Sequence, residues 1–222
     1  MSNIVEVQAV TKRFKETTAL NNVTVCFEAG KIHGIIGRNG SGKTVLFKCI
    51  CGFMQTDAGK ITVQGKQVIP SAAQNIGIII EEPGFIPSVS AEKNLMLLAS
   101  IRSKLTRDDI RQVIARVGLD PNSKKHVGKF SLGMRHRLGI AQAIMEKPPL
   151  LILDEPMNGL DKQGVQEMRR LLRQLCEEDG ITILMSSHYA EDIEALCDTV
   201  CEMDGGHLER IRGFEDAVPT AD

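Results

Sequence analysis

The feature that most constrains this chain is the run Gly37-Arg38-Asn39-Gly40-Ser41-Gly42-Lys43-Thr44, which fits G-x-x-x-x-G-K-[ST] at every fixed position. Its flanks decide what such a run can be. Lys31-Ile32-His33-Gly34-Ile35-Ile36 is a short apolar stretch of strand length. Thr44 to Cys51 carries Leu46, Phe47 and Ile50 at helical spacing, and Gly52 marks a stop. A strand, a glycine turn and a helix in that order predict a βα unit with the loop at its carboxyl end.

The residue types suit an oxyanion. Glycines let the backbone curl so that successive N–H groups point inward, where a Cβ would obstruct the approach. The following helix adds the positive end of its dipole at the same place. Lys43 would reach β- and γ-phosphates and the Thr44 hydroxyl would ligate Mg²⁺, with Gly37, Arg38, Asn39, Gly40, Ser41 and Gly42 forming the cradle. A lysine in such a loop is expected to pack against little, so that its removal leaves the fold intact.

A chain of 222 residues is long enough for one large core with an inserted subdomain. Its 27 basic and 28 acidic residues give a net charge of −1, which offers no basic field for nucleic acid or for an anionic membrane surface. No apolar run approaches a membrane span, and the N-terminus lacks a signal-peptide pattern. A spanning part, if the protein serves a membrane process, is then expected on another chain. The six cysteines (26, 49, 51, 176, 197 and 201) include no CxxC pair and read as reduced core thiols of a cytosolic protein.

Alternation predicts strands at Ile4–Val10 and Val23–Phe27, with Phe14 between them. A further pair is predicted at Lys60–Gln64 and Gln67–Ile69, turning at Gly65-Lys66. These lie too close for parallel crossovers and predict a small antiparallel layer. Ile76–Ile80 reads as a buried strand. From Phe85 to Lys147 the texture is helical: Thr106-Arg107-Asp108-Asp109 resembles a capping box, and Ile110, Val113, Ile114 and Val117 follow at helical spacing up to Gly118. Leu150–Glu155 is a continuous apolar strand ending in two carboxylates. A helix over 164–178, a strand at Ile181–Met185, a short helix and a hairpin over Thr199–Ile211 turning at Asp204-Gly205-Gly206 complete the chain.

Ligands of open α/β sheets gather at the carboxyl ends of strands, and four groups fall there: the glycine loop, Glu81, Asp154-Glu155 and His188. Asp154 closes an apolar run where an unpaired carboxylate is costly, so a cation is expected; Mg²⁺ held by Thr44 and Asp154 fits. Glu155 suits a general base or a positioning group for attacking water. His188 is placed to sense a γ-phosphate. No role is assigned to His33, His126, His136 or His207.

Taken together, the chain resembles the ATP-binding subunit of an ABC transporter over nearly its full length. Gly37–Thr44 is similar to the Walker A loop and Leu150–Glu155 to Walker B with its catalytic glutamate. Phe130-Ser131-Leu132-Gly133-Met134 is similar to the signature segment, Gly159-Leu160-Asp161 to the D-loop, and His188 to the switch histidine; Phe14 falls where the family stacks an aromatic on adenine. The resemblance implies ATP and Mg²⁺ as cofactors. It implies a head-to-tail homodimer, or pairing with a similar ATPase subunit, in which Ser131, Gly133 and Asp161 act across the interface. Ser131 is at the same time a plain N-cap residue. The chain departs from the family at Glu81, where glutamine is usual, at Leu132 and Met134, at Phe14 and at Lys162. Ile80–Phe85 with Ser131–Arg135 resembles bacterial exporters of antibiotics and antimicrobial peptides. Glu81 either faces the metal as a third ligand or points to solvent.

The expected fold is α/β. A P-loop NTPase core with a mainly parallel sheet (1–84 and 148–212) carries the small antiparallel layer, with a helical subdomain inserted at 85–147 and a frayed tail at 213–222. The expected activity is ATP hydrolysis powering export through a separate transmembrane permease, which would hold the chain at the inner face of the cell membrane. The alternatives are a soluble ATPase of the same class acting on ribosomes or DNA, and a non-hydrolysing regulatory module. The first alternative usually brings tandem domains or a long coiled coil, and neither is present. Intact Lys43, Asp154, Glu155 and His188 speak against the second.

Overall fold

The computed structural model describes residues 2–70, 75–81, 83–102 and 105–213. They form an α/β protein that divides into two compact units, Met1–Gln74 with Thr182–Asp222 and Asn75–Ile181.

The first unit holds two sheets. Strands β1 (Asn3–Phe14) and β2 (Thr17–Glu28) make an antiparallel pair running from Phe14↔Thr17 to Asn3↔Glu28. With β4 (Ala58–Val63) and β5 (Lys66–Gln67) they form a sheet of order β2-β1-β4-β5. This is the expected antiparallel layer, with β1 and β2 longer than alternation alone indicated. The β4–β5 turn falls on Gln64-Gly65 rather than Gly65-Lys66. Both residues have positive φ, 51° and 72°, the pair of left-handed positions a two-residue hairpin turn requires.

The second sheet of this unit is built on β3 (Ile32–Ile36). It pairs in parallel with β8 (Thr182–Ser187) on one side and β9 (Thr199–Asp204) on the other, and β9 turns at Gly205-Gly206 into antiparallel β10 (His207–Arg212). Helices α1 (Lys43–Ile50) and α6 (Ala190–Leu196) belong to the same unit. β3 is buried almost throughout, and a Cβ at Gly34 would lie 2.3 Å from Ile193 Cγ2 of α6, so glycine lets that helix close on the strand.

The second unit pairs β6 (Ile76–Ile79) in parallel with β7 (Leu150–Leu153) and carries α2 (Ala91–Arg102), α3 (Arg107–Arg116), α4 (Leu132–Ile144) and α5 (Lys162–Glu177). All four β7 residues are fully buried. The isoleucines of β6 are half-buried, a correction to the expected buried strand: β6 stands at a sheet edge. α3 begins with the capping box foreseen, Thr106 and Asp109 exchanging bonds, and Ile110, Ile114 and Val117 are fully buried. α5 starts at Lys162, two residues before the expected Gly164, because Asp161 rather than a later residue caps it. Residues 214–222, most of the expected tail, lie outside the described residues.

No disulfide joins the six cysteines, all of which are buried. Burial pushes the Cys49 thiol up to about 11 and the Cys51 and Cys201 thiols to about 12, so these thiols stay protonated and unreactive at neutral pH.

His33 is the buried histidine of the β3 sheet. Its Nε2–H donates to the Glu28 carbonyl at 2.8 Å, which leaves Nδ1 of the neutral ring to accept from the Thr199 hydroxyl at 2.6 Å. Burial pulls its pKa below the ordinary imidazole value. The hydrogen bond to Glu28 and the charges of Asp198 and Glu28 oppose that pull, and Lys31 adds to it. The unfolded chain therefore binds more protons here, and the stability this neutral ring contributes is intact above about pH 6.5 and falls as the pH drops below it. Denaturant midpoints measured from neutral to mildly acidic pH are expected to decline less for His33→Gln than for the unmodified protein. Parallel declines would show that His33 does not set the acid limb.

Candidate functional site

The first cluster grows from neighbouring strand ends. Ile36, last residue of β3, is registered with Ser187, last residue of β8, so the glycine loop and His188 leave the sheet side by side. Arg38, Asn39 and Gly40 form the exposed rim of the loop, while Ser41, Gly42 and Lys43 are buried. Gly37 (φ 154°) and Gly42 (φ 117°) sit in the left-handed half of backbone space. A Cβ on Gly37 would lie 2.3 Å from the Met203 carbonyl oxygen, and one on Gly42 would lie 2.4 Å from that of Ala19. Glycine is therefore dictated twice, by φ and by the close approach of other backbone.

Four observations fit this loop to phosphate. No side chain caps α1, whose first residues follow Gly42 directly. The first turn of α1 carries no acidic residue, so nothing cancels the positive end of the helix. Ser41 Oγ is buried and has no hydrogen-bond partner, and an orphaned buried hydroxyl is costly unless a ligand satisfies it. Lys43, 4 % exposed, donates to the carbonyls of Gly37 at 2.6 Å and Arg38 at 3.1 Å. The last point corrects the expectation that this lysine packs against little: its ammonium ties the loop's two sides together.

Phe14 ends β1 and is 43 % exposed, with the Lys12 ammonium 5.5 Å from its ring centroid; Lys12 also pairs with Asp57 at 2.9 Å. The half-buried His188 lies against Tyr189, ring centroids 4.7 Å apart and tilted by 52°.

The second unit carries the carboxylates. Ile79 is registered with Leu153, and the Asp154 N–H donates to the Ile79 carbonyl at 2.8 Å, so Glu81 and Asp154-Glu155 leave adjacent carboxyl ends. Glu81 (φ 72°) and Glu155 (φ 53°) are both left-handed non-glycine residues, a strained backbone that gathers at functional turns. Glu81 is exposed and Asp154 and Glu155 are half-buried. Among the described residues no three His, Cys, Asp or Glu side chains form a preformed metal cage. Mg²⁺ does not need one, being held by one or two protein oxygens together with substrate phosphates.

A second grouping in the same unit joins the Ser131 and Asp161 segments around a depression of about 370 Å³. Ser131 caps α4 by accepting from the Met134 N–H at 3.2 Å, and Asp161 caps α5 by accepting from the Gly164 N–H at 2.7 Å. Ser131 is exposed, and a Cβ at Gly133 would be in ordinary contact with Leu160. Sequence reasoning left His136 without a role. The structure aims its Nδ1–H at the Pro156 carbonyl, 3.0 Å away and one residue past Glu155. The acceptor is backbone, which any residue supplies, so no motif could have marked the pair.

A glycine loop in one unit, and paired carboxylates with two side-chain-capped helix starts in the other, are groups that nucleotide hydrolysis draws on. The family model described as ABC transporter matches residues 20–158, and the chain belongs to that family. It is 43 % identical over 208 residues to the uncharacterized ABC transporter ATP-binding protein YybJ of Bacillus subtilis, covering 93 % of this chain and 95 % of that one. It is 39 % identical to the bacitracin transport ATP-binding protein BcrA of Enterococcus faecalis, covering 94 % of this chain and 68 % of that one. The structure of cbiO1 from Clostridium perfringens, part of the transporter complex cbiONQ, superposes with a TM-score of 0.86 at 28 % identity, covering 94 % and 87 % of the two chains. The chain is an ATPase of transporter type.

Removing the Lys43 charge takes away a charged hydrogen-bond donor, worth about 1.5–3 kcal/mol. Lys43→Ala is therefore expected to weaken ATP binding roughly 10- to 100-fold in a calorimetric titration. It should also lower the melting temperature slightly, because two loop carbonyls lose their donor. Unchanged affinity would remove the loop from the nucleotide site.

Proposed function

We propose that this chain binds Mg²⁺–ATP as a head-to-tail dimer and hydrolyses it to drive export through a separate membrane-spanning permease. The cargo class is the antibiotic or antimicrobial peptide, a reading supported by relatives named for bacitracin transport and lantibiotic transport. The observation that carries the reading is the loop at the start of α1, where an uncapped helix, a buried unpartnered Ser41 hydroxyl and the buried Lys43 ammonium all suit one anionic ligand.

Within this reading Gly37–Thr44 cradles the phosphates and Phe14 stacks on the base. Glu155 accepts a proton from the attacking water as that oxygen bonds to the γ-phosphorus and the bond to the β–γ bridging oxygen breaks, giving ADP and phosphate. His188 donates to the γ-phosphate. Asp154 and Thr44 offer hard oxygen ligands that would hold Mg²⁺, and Glu81, which follows the strand end next to that of Asp154, is an added carboxylate. When bound, Mg²⁺ neutralises charge on the phosphates. Ser131, Gly133 and Asp161 serve the partner copy's nucleotide. Ser131 is exposed at the start of α4, as an anion contact from outside the chain requires. No described helix is long and apolar enough to cross a membrane.

Glu155→Gln keeps shape and removes the base, so turnover should fall about 10²–10⁴-fold while ATP binding survives. In that background ATP should drive a dimer visible by size-exclusion chromatography, and a further Ser131→Arg change should abolish the dimer yet leave monomer ATP affinity intact. Wild-type turnover in Glu155→Gln, or an undiminished dimer with Arg at 131, would refute the respective role.

A further inference from the structure

The first two turns of α4 are fastened to the segment Glu155–Glu167 by three different kinds of contact, all within one unit. The first is apolar and reciprocal. A Cβ on Gly159 would lie 2.8 Å from Leu132 Cδ2, and one on Gly133 would lie 3.7 Å from Leu160 Cδ2. Each segment thus offers a glycine that the other's leucine covers. The second is an ion pair: Arg137 Nη2 donates to Glu167 Oε2 at 2.6 Å, while Gln163 holds the other carboxylate oxygen at 2.9 Å and Arg137 Nη1 reaches the Val117 carbonyl at 2.9 Å. The third is the His136 Nδ1–H bond to the Pro156 carbonyl.

The last contact falls at a sensitive place. Glu155 has φ 53°, a conformation that persists only where surroundings impose it. The turn it opens is closed on one side by the Asn158 N–H donating to the Glu155 carbonyl at 3.1 Å. The Pro156 peptide is the next link, and proline's fixed φ leaves the orientation of its carbonyl as the handle on that turn. His136 grips the handle from α4, five residues after Ser131.

We propose that His136 is a positioning residue: by holding the Pro156 carbonyl it aims the Glu155 carboxylate, and it makes that aim depend on where the Ser131 end of α4 sits. This rests on the proposed role of Glu155. A load placed on Ser131 by a partner copy would then be felt at the water-activating carboxylate of the same chain, through one hydrogen bond and the Leu132–Gly159 contact.

The test uses the whole chain. His136→Leu keeps bulk and helix propensity but removes the donor, whereas His136→Asn places an amide N–H near the position of Nδ1. His136→Leu is expected to lower kcat about ten- to hundred-fold, the scale of a slightly misplaced catalytic group, with KM and calorimetric ATP affinity unchanged. His136→Asn should recover most of the loss. In a Glu155→Gln background single-turnover rates should show no further loss from His136→Leu, since there is no carboxylate left to aim. Wild-type kcat in His136→Leu, or an undiminished loss in the Glu155→Gln background, would overturn the proposal. Wild-type turnover in Glu155→Gln alone would instead overturn the role of Glu155, a separate failure.

Discussion

The approach of two carbonyl oxygens to glycine governs the loop between β3 and α1. The Met203 carbonyl, from β9, and the Ala19 carbonyl, from β2, stand where a Cβ on Gly37 or Gly42 would be. Those contacts press the loop between β3 and α1 into a shape that leaves the start of α1 without a side-chain cap and Ser41 Oγ without a partner. An apolar fold would not maintain such debts of hydrogen bonding; an anion at the loop cancels both. The Gly206 N–H bond to the Ser41 carbonyl at 3.1 Å ties the same loop to the β9–β10 turn. Loop geometry is therefore set by three elements distant in sequence.

A parallel logic operates at the ends of β6 and β7. Two glutamates, Glu81 and Glu155, occupy left-handed backbone, which a glycine would tolerate more easily. What glycine lacks is a carboxylate. The strain at Glu155 is held by the Asn158 turn and by the bond from His136, so the segment that caps α4 with Ser131 and the segment that carries Glu155 are mechanically joined. In the proposed dimer, binding across the interface and hydrolysis within a chain would share that joint.

Much of this was legible in residue pattern. The capping box at Thr106, the turn at Gly205-Gly206 and the βα crossing at Gly37–Thr44 rest on local chemistry, and each is found where the pattern placed it. So is the burial of β7, whose unbroken Leu-Leu-Ile-Leu run leaves no alternative. Misreadings arose where neighbours decide. The half-buried state of β6 follows from its place at a sheet edge, which Ile-Gly-Ile-Ile does not encode. Lys43 lies on its own loop carbonyls because the loop curls around it. His136 escaped notice because its acceptor is a carbonyl, and the Leu132–Gly159 contact because it joins residues 27 positions apart.

The central claim is that the loop before α1 is a phosphate cradle whose amides are satisfied by nucleotide. Amide hydrogen exchange of the intact protein, with and without Mg²⁺–ATP, tests it directly. Strong added protection is expected across residues 38–46, the loop and the first turn of α1, at nucleotide concentrations too low to form the dimer. Protection of residues 130–134 should follow only as the dimer appears. Exchange across 38–46 that is indifferent to Mg²⁺–ATP would contradict the account.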